Sequence, residues 1–129
     1  MSTWINDLKN NCVVEYSIKP AAIAATTVGS AVDCNNCEGP MALIIPAGTV
    51  TDGEYTPSIT ESETSGGTYT AVTPHIGTFA AITTANDETT YVFGFKRTKR
   101  YVKVTLTETS AGSTGIVAAA ILVGQKKAI

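Results

Sequence analysis

Beyond its first eleven residues the chain shows no sustained helical periodicity. It breaks instead into short runs rich in Val, Ile, Thr and aromatics, set roughly ten residues apart by Gly, Pro, Asn and Asp. β-branched side chains are stiff at χ1 and pack well on a pleated surface, while Gly, Asn and Asp supply the turns between strands. At 129 residues, 43% apolar and 16% charged, the chain can bury one core but not two.

Residues 12–18 alternate, with Val14, Tyr16 and Ile18 on one face. Residues 41–46 form an apolar run that reads as buried on both faces. Asp52-Gly53 is a hairpin-type turn signal, and Pro57 marks 55–62 as an edge strand. Gly66-Gly67 turns the chain into a short run at 68–72. Residues 78–83 are a weaker run, closed by Asn86-Asp87. Residues 89–95 place Tyr91, Phe93 and Phe95 on one face. Residues 100–107 alternate most cleanly: Val102, Val104 and Leu106 face one way, Tyr101, Lys103, Thr105 and Thr107 the other. After a turn at 110–115, the last run is apolar on both faces and is predicted to be central. Eight or nine such strands predict an all-β fold. It is an antiparallel β-sandwich, jelly-roll-like, over residues 12–129, preceded by a short N-terminal arm at 1–11.

Within that arm Trp4, Ile5 and Leu8 have the spacing of one amphipathic helical turn. Trp4 is the only Trp in the chain. It reads equally as an anchor on a partner and as a side chain folded back over the domain.

Charge is unevenly distributed. No basic residue lies between Lys19 and Lys96, and then Lys96, Arg97, Lys99, Arg100 and Lys103 fall within eight positions. Residues 1–95 hold two of the nine Lys+Arg and ten of the eleven Asp+Glu, a net −8; the remainder carries +6. Such polarity suits docking on a neighbour or into a repeating lattice; alternatively the fold brings the halves together and the charges offset locally.

The N-terminus is polar, with no signal-like run, and the longest apolar stretch is about half of a bilayer span. With three cysteines, an odd count, the expectation is a soluble protein of a reducing cytosol, without a membrane partner. Cys34-Asn35-Asn36-Cys37 could hold half a zinc site or run thiol exchange, with only Cys12 and His75 left to complete a ligand set. No helix follows it, so it reads as small buried thiols in a turn, and no metal or cofactor is expected. Asp52, Glu54, Glu61 and Glu63 fall where solvent-facing residues fall, and no Ser or Cys has a nucleophile-elbow setting, so the chain does not read as an enzyme. The basic block could touch phosphates, but the chain is acidic overall and the neighbouring aromatics read as core; nucleic acid is not an expected partner.

Asp33 with the apolar strand after it, then GTVTDGEYTPSITES, TYTAV, KRTKRYVKVTLT and GIVAAAILVGQKKA, together resemble small proteins encoded in tailed-bacteriophage head modules. The resemblance spans about residues 28–127, and its most specific parts are Thr51-Asp52-Gly53 and the block 99–104. It implies a virion structural protein, a capsid decoration or cement protein on the outside of an icosahedral head, assembled in the bacterial host cytoplasm. The implied partner is the major capsid protein, with self-association as a dimer or trimer. On that reading Lys96, Arg97, Lys99, Arg100, Lys103, Lys126 and Lys127 meet an acidic capsid surface or a neighbouring copy, and Trp4, Ile5 and Leu8 supply apolar anchoring. The alternatives are a tail, neck or baseplate component, and a carbohydrate-binding β-sandwich using Tyr55, Tyr69 and Tyr101.

Overall fold

Strict alternation in the run from Tyr101 sends one face of that strand into the core. A computed structural model describes residues 8–72, 75–109 and 115–127. In it Val102, Val104 and Leu106 are fully buried, while the residues between them turn outward. A short helix α1 (Leu8–Asn11) leads into ten strands. Six are long: β1 (Cys12–Ile23), β4 (Cys37–Val50), β5 (Glu54–Ser62), β8 (Thr90–Phe95), β9 (Tyr101–Thr109) and β10 (Ile116–Lys126). Four have two residues each: β2 (Thr27–Val28), β3 (Val32–Asp33), β6 (Thr70–Ala71) and β7 (His75–Ile76).

The strands form two antiparallel sheets, β1-β10-β4-β8-β7 and β2-β9-β5-β6, with β3 also pairing to β9. Leu43, Ile45, Phe93 and Leu122 from the first sheet meet Tyr55, Ile59, Val104 and Leu106 from the second. Each such buried side chain contributes about 1.5–3 kcal/mol of transfer free energy. The antiparallel sandwich expected from the sequence is therefore present. β10 lies between β1 and β4, as its apolar character predicts, and Tyr91, Phe93 and Phe95 share the inward face of β8.

Several local expectations are corrected. Asp52-Gly53 makes no hairpin: β4 and β5 lie in different sheets, so the turn is a corner, with Gly53 at φ +83° where a side chain would be strained. Val14 and Tyr16 do not share a face with Ile18, because a β-bulge at Ser17 reverses the side on which β1 points. The run 78–83 forms no strand and contributes only a bridge from Ile82 to Tyr55. Pro57 lies on a strand that is paired along its whole length with β9. Its nitrogen shares parity with Tyr55 and Ile59, whose backbones bond Ile82 and Val72 on the other flank, so it points to the open side, where no ladder donor is lost. The expected anchors Trp4 and Ile5, the side chain of Leu8 and the turn at 110–114 lie outside the described residues.

Candidate interaction surface at the basic end

The loop between β8 and β9 crosses from one sheet to the other and carries Lys96, Arg97, Lys99 and Arg100. A carboxylate in the core wall fixes its shape. Glu61 occupies the inward series Tyr55, Pro57, Ile59, Glu61 of β5 and is 6% exposed. Its Oε1 accepts from the Thr98 N–H at 2.8 Å and the Lys99 N–H at 3.2 Å, and Oε2 accepts from the Thr98 hydroxyl at 2.9 Å. The expectation of a solvent-facing carboxylate at Glu61 is thus overturned. The signal that could have found it is parity with three core residues.

Arg97 turns inward, donating from Nη2 to the Cys37 carbonyl at 2.7 Å and from Nη1 to the Lys99 carbonyl at 3.1 Å. Arg100 grips Asp33 through Nε and Nη2 at 2.9 and 2.8 Å, a bidentate pair. That grip, helped by the Asn35 N–H, lowers the Asp33 carboxyl to about 2. Lys103 lies on the outer face of β9, with its ammonium 3.9 Å from the Tyr69 ring centroid, and Lys99 Nζ donates to the Thr70 hydroxyl at 3.4 Å. Arg100 is therefore offset locally by Asp33, whereas Lys96 is exposed.

The C-terminal lysines arrive at the same place. Lys126 lies opposite Cys37 in the β10–β4 ladder, and the Lys127 N–H donates to the Asn36 carbonyl at 2.6 Å. Two basic segments far apart in sequence thus converge on the turn at 33–37. α1 also leads in here, because β1 begins at Cys12 opposite Gln125. Lys126 and Lys127 are exposed.

The same turn holds the paired thiols. The Cys37 N–H donates to the Cys34 carbonyl at 3.0 Å, and both side chains are free and buried. Burial, with Cys37 nearby, pushes the Cys34 thiol up to about 12, and burial raises Cys37 also. At neutral pH both stay protonated, which is the poorly nucleophilic form. His75 stacks on Phe79 at 4.0 Å between centroids, and its Nδ1 is 2.9 Å from the Gly77 carbonyl oxygen. Among the described residues no three His, Cys, Asp or Glu side chains gather as metal ligands would. Nor, among them, is any helix long and apolar enough to cross a membrane. Of the tyrosines weighed as sugar platforms, Tyr55 is fully buried, Tyr69 lies beneath Lys103, and Tyr101 carries the Arg100 guanidinium 5.1 Å from its centroid.

Fold and surface together define an antiparallel β-sandwich with a basic end. No protein family, curated protein or solved structure matches the chain.

Proposed function

We propose that this chain is a virion structural protein, a capsid decoration or cement protein that docks on the outside of a tailed-phage head and bridges neighbouring major capsid subunits. The observation that carries the reading is the convergence of Arg97, Lys126 and Lys127 on one turn at one end of the sandwich. Two sheets locked through a shared core present that end without rearrangement. Its exposed lysines attract an acidic lattice over a Debye length, about 8–10 Å at ordinary salt. Each exposed ion pair contributes little, about 0.2–1 kcal/mol, but many bridging copies shift the assembled state by mass action. The resemblance of residues 28–127 to phage head-module proteins supports the same role.

The triple variant Lys96→Glu, Lys126→Glu, Lys127→Glu tests the contact, because all three side chains are exposed and outside the core. The expected result is lower occupancy on washed heads with an unchanged melting temperature of the free protein. Unchanged occupancy would remove the electrostatic contact. Electron cryomicroscopy of purified particles tests the location. Density repeated over the shell at two- or three-fold positions is expected, and density confined to the neck or tail would reassign the protein to those parts.

A further inference from the structure

The outer face of the first sheet is apolar across its full width. One register row runs through Val14, Val123, Ala42, Gly94 and Ile76. The next runs through Tyr16, Ile121, Ile44 and Val92. Neither row holds a charge. Among the described residues, five of the six large apolar side chains that stand exposed, Val14, Tyr16, Ile76, Val92 and Val117, lie on this face; the sixth, Val28, belongs to the other sheet. Beside the rows an open recess of about 480 Å³ is walled mostly by small residues, including Pro20, Pro46, Gly48 and Ala119, with Glu88 at its polar side.

β4 and β10 read from sequence as strands covered on both faces, yet this chain covers only one. An antiparallel sheet with one wet face would alternate apolar and polar residues, and these two strands carry apolar side chains on both faces instead. We infer that the second cover is another copy of this chain, packed sheet to sheet about a two-fold axis lying in the interface plane. The two apolar rows hold no charge and can meet their own copy without burying an unpaired one, with Glu38 and Glu88 at the margins of the face, whereas a partner selected by charge would be drawn to the basic end. Protruding Tyr16 and Val92 next to a recess of small residues give relief that can interlock with its own copy. Five strands about 4.8 Å apart make the face about 19 Å wide. Val117 to Val123 on β10 give it a height of about 20 Å, so two copies cover roughly 750 Å² of plane, and interlocking side-chain relief has to supply the rest of the ~1,000 Å² that a specific interface clears. This interface stands whether or not the protein is a virion component.

Sedimentation of the purified full chain tests it. Wild type is expected to run as a dimer at micromolar concentration. Val92→Glu, at a position already 61% exposed, is expected to raise the dissociation constant at least about tenfold without altering the circular dichroism of the fold. Val28→Glu, at a 58% exposed position on the other sheet, should leave the dimer intact. If Val92→Glu does not fold, Ile76→Glu decides, since its site is 79% exposed at the end of the row. A wild type that stays monomeric, a trimer, or a dimer indifferent to both substitutions would overturn the proposal. So would a dimer lost on removing residues 2–7 but kept in Val92→Glu.

Discussion

At the scale of single residues, the basic block is a set of side chains with different tasks. Arg97 serves the backbone, Arg100 serves Asp33, Lys103 covers a ring, and Lys96 stays exposed. Asp33 offers the clearest pH signature. Its folded carboxyl is depressed from 3.8 to about 2, first by the Arg100 hydrogen bonds and then by the Asn35 N–H. A depressed folded value means the unfolded chain takes up the proton first. The contribution is therefore fully present above pH 3.8 and is lost as pH falls through about 2. Both partners are about half exposed, so the effect is small and screened by salt. The difference in unfolding midpoint between wild type and Asp33→Asn is expected to be constant above pH 4 and to shrink towards pH 2. A difference that does not change across that window would show that the pair contributes nothing to folding.

At the scale of elements, the bulge in β1 does more than redirect side chains. β2 and β3 pair with β9 at Leu106–Thr105 and at Val102–Tyr101, leaving a gap at Val104. Ser17 reaches across from the opposite sheet to close it. Its hydroxyl accepts from the Val104 N–H at 2.9 Å and donates to the Ser30 carbonyl at 2.9 Å, while the Gly29 N–H donates to the Val104 carbonyl at 2.7 Å. Gly29 must be glycine here, because a Cβ would collide with the Ser17 hydroxyl. Ser17→Ala strands a buried donor on Val104, which costs about 1–3 kcal/mol. The expected result is a lower urea midpoint at unchanged slope, and an unshifted midpoint would show that the clasp is dispensable. The clasp was not legible in the sequence. Alternation of Val14, Tyr16 and Ile18 describes an unbroken strand, and only the pairing of β1 with β10, at the far end of the chain, reveals the extra residue.

At the scale of the whole molecule, what could be read from the sequence was what period two encodes: the inward series of β8 and β9, the central position of β10, and hence two sheets around one core. What could not be read were relations between distant strands. Asp52-Gly53 has the same local chemistry in a corner as in a hairpin, and nothing local says that Lys126 will lie opposite Cys37 beside Arg97. Glu61 lies on the inward series, but a carboxylate is normally placed in water, so its type masks the parity that buries it. Those distant relations also give the molecule a built-in probe of its unfolding. Cys34 hydrogen-bonds through its N–H to the Arg100 carbonyl at the start of β9, and Cys37 begins β4 against β10, so the two thiols sit where both sheets are tied together. They are 0% and 3% exposed, and burial holds Cys34 as the thiol up to about pH 12. Cys12 is only half-buried at the start of β1. A thiol reagent at pH 8 is therefore expected to modify Cys12 first. Cys34 and Cys37 should follow together, at a rate that rises with urea as steeply as global unfolding does. Modification of either core thiol alongside Cys12 would mean that this end of the sandwich opens without the rest, and the basic end would then be a hinged surface instead of a rigid one.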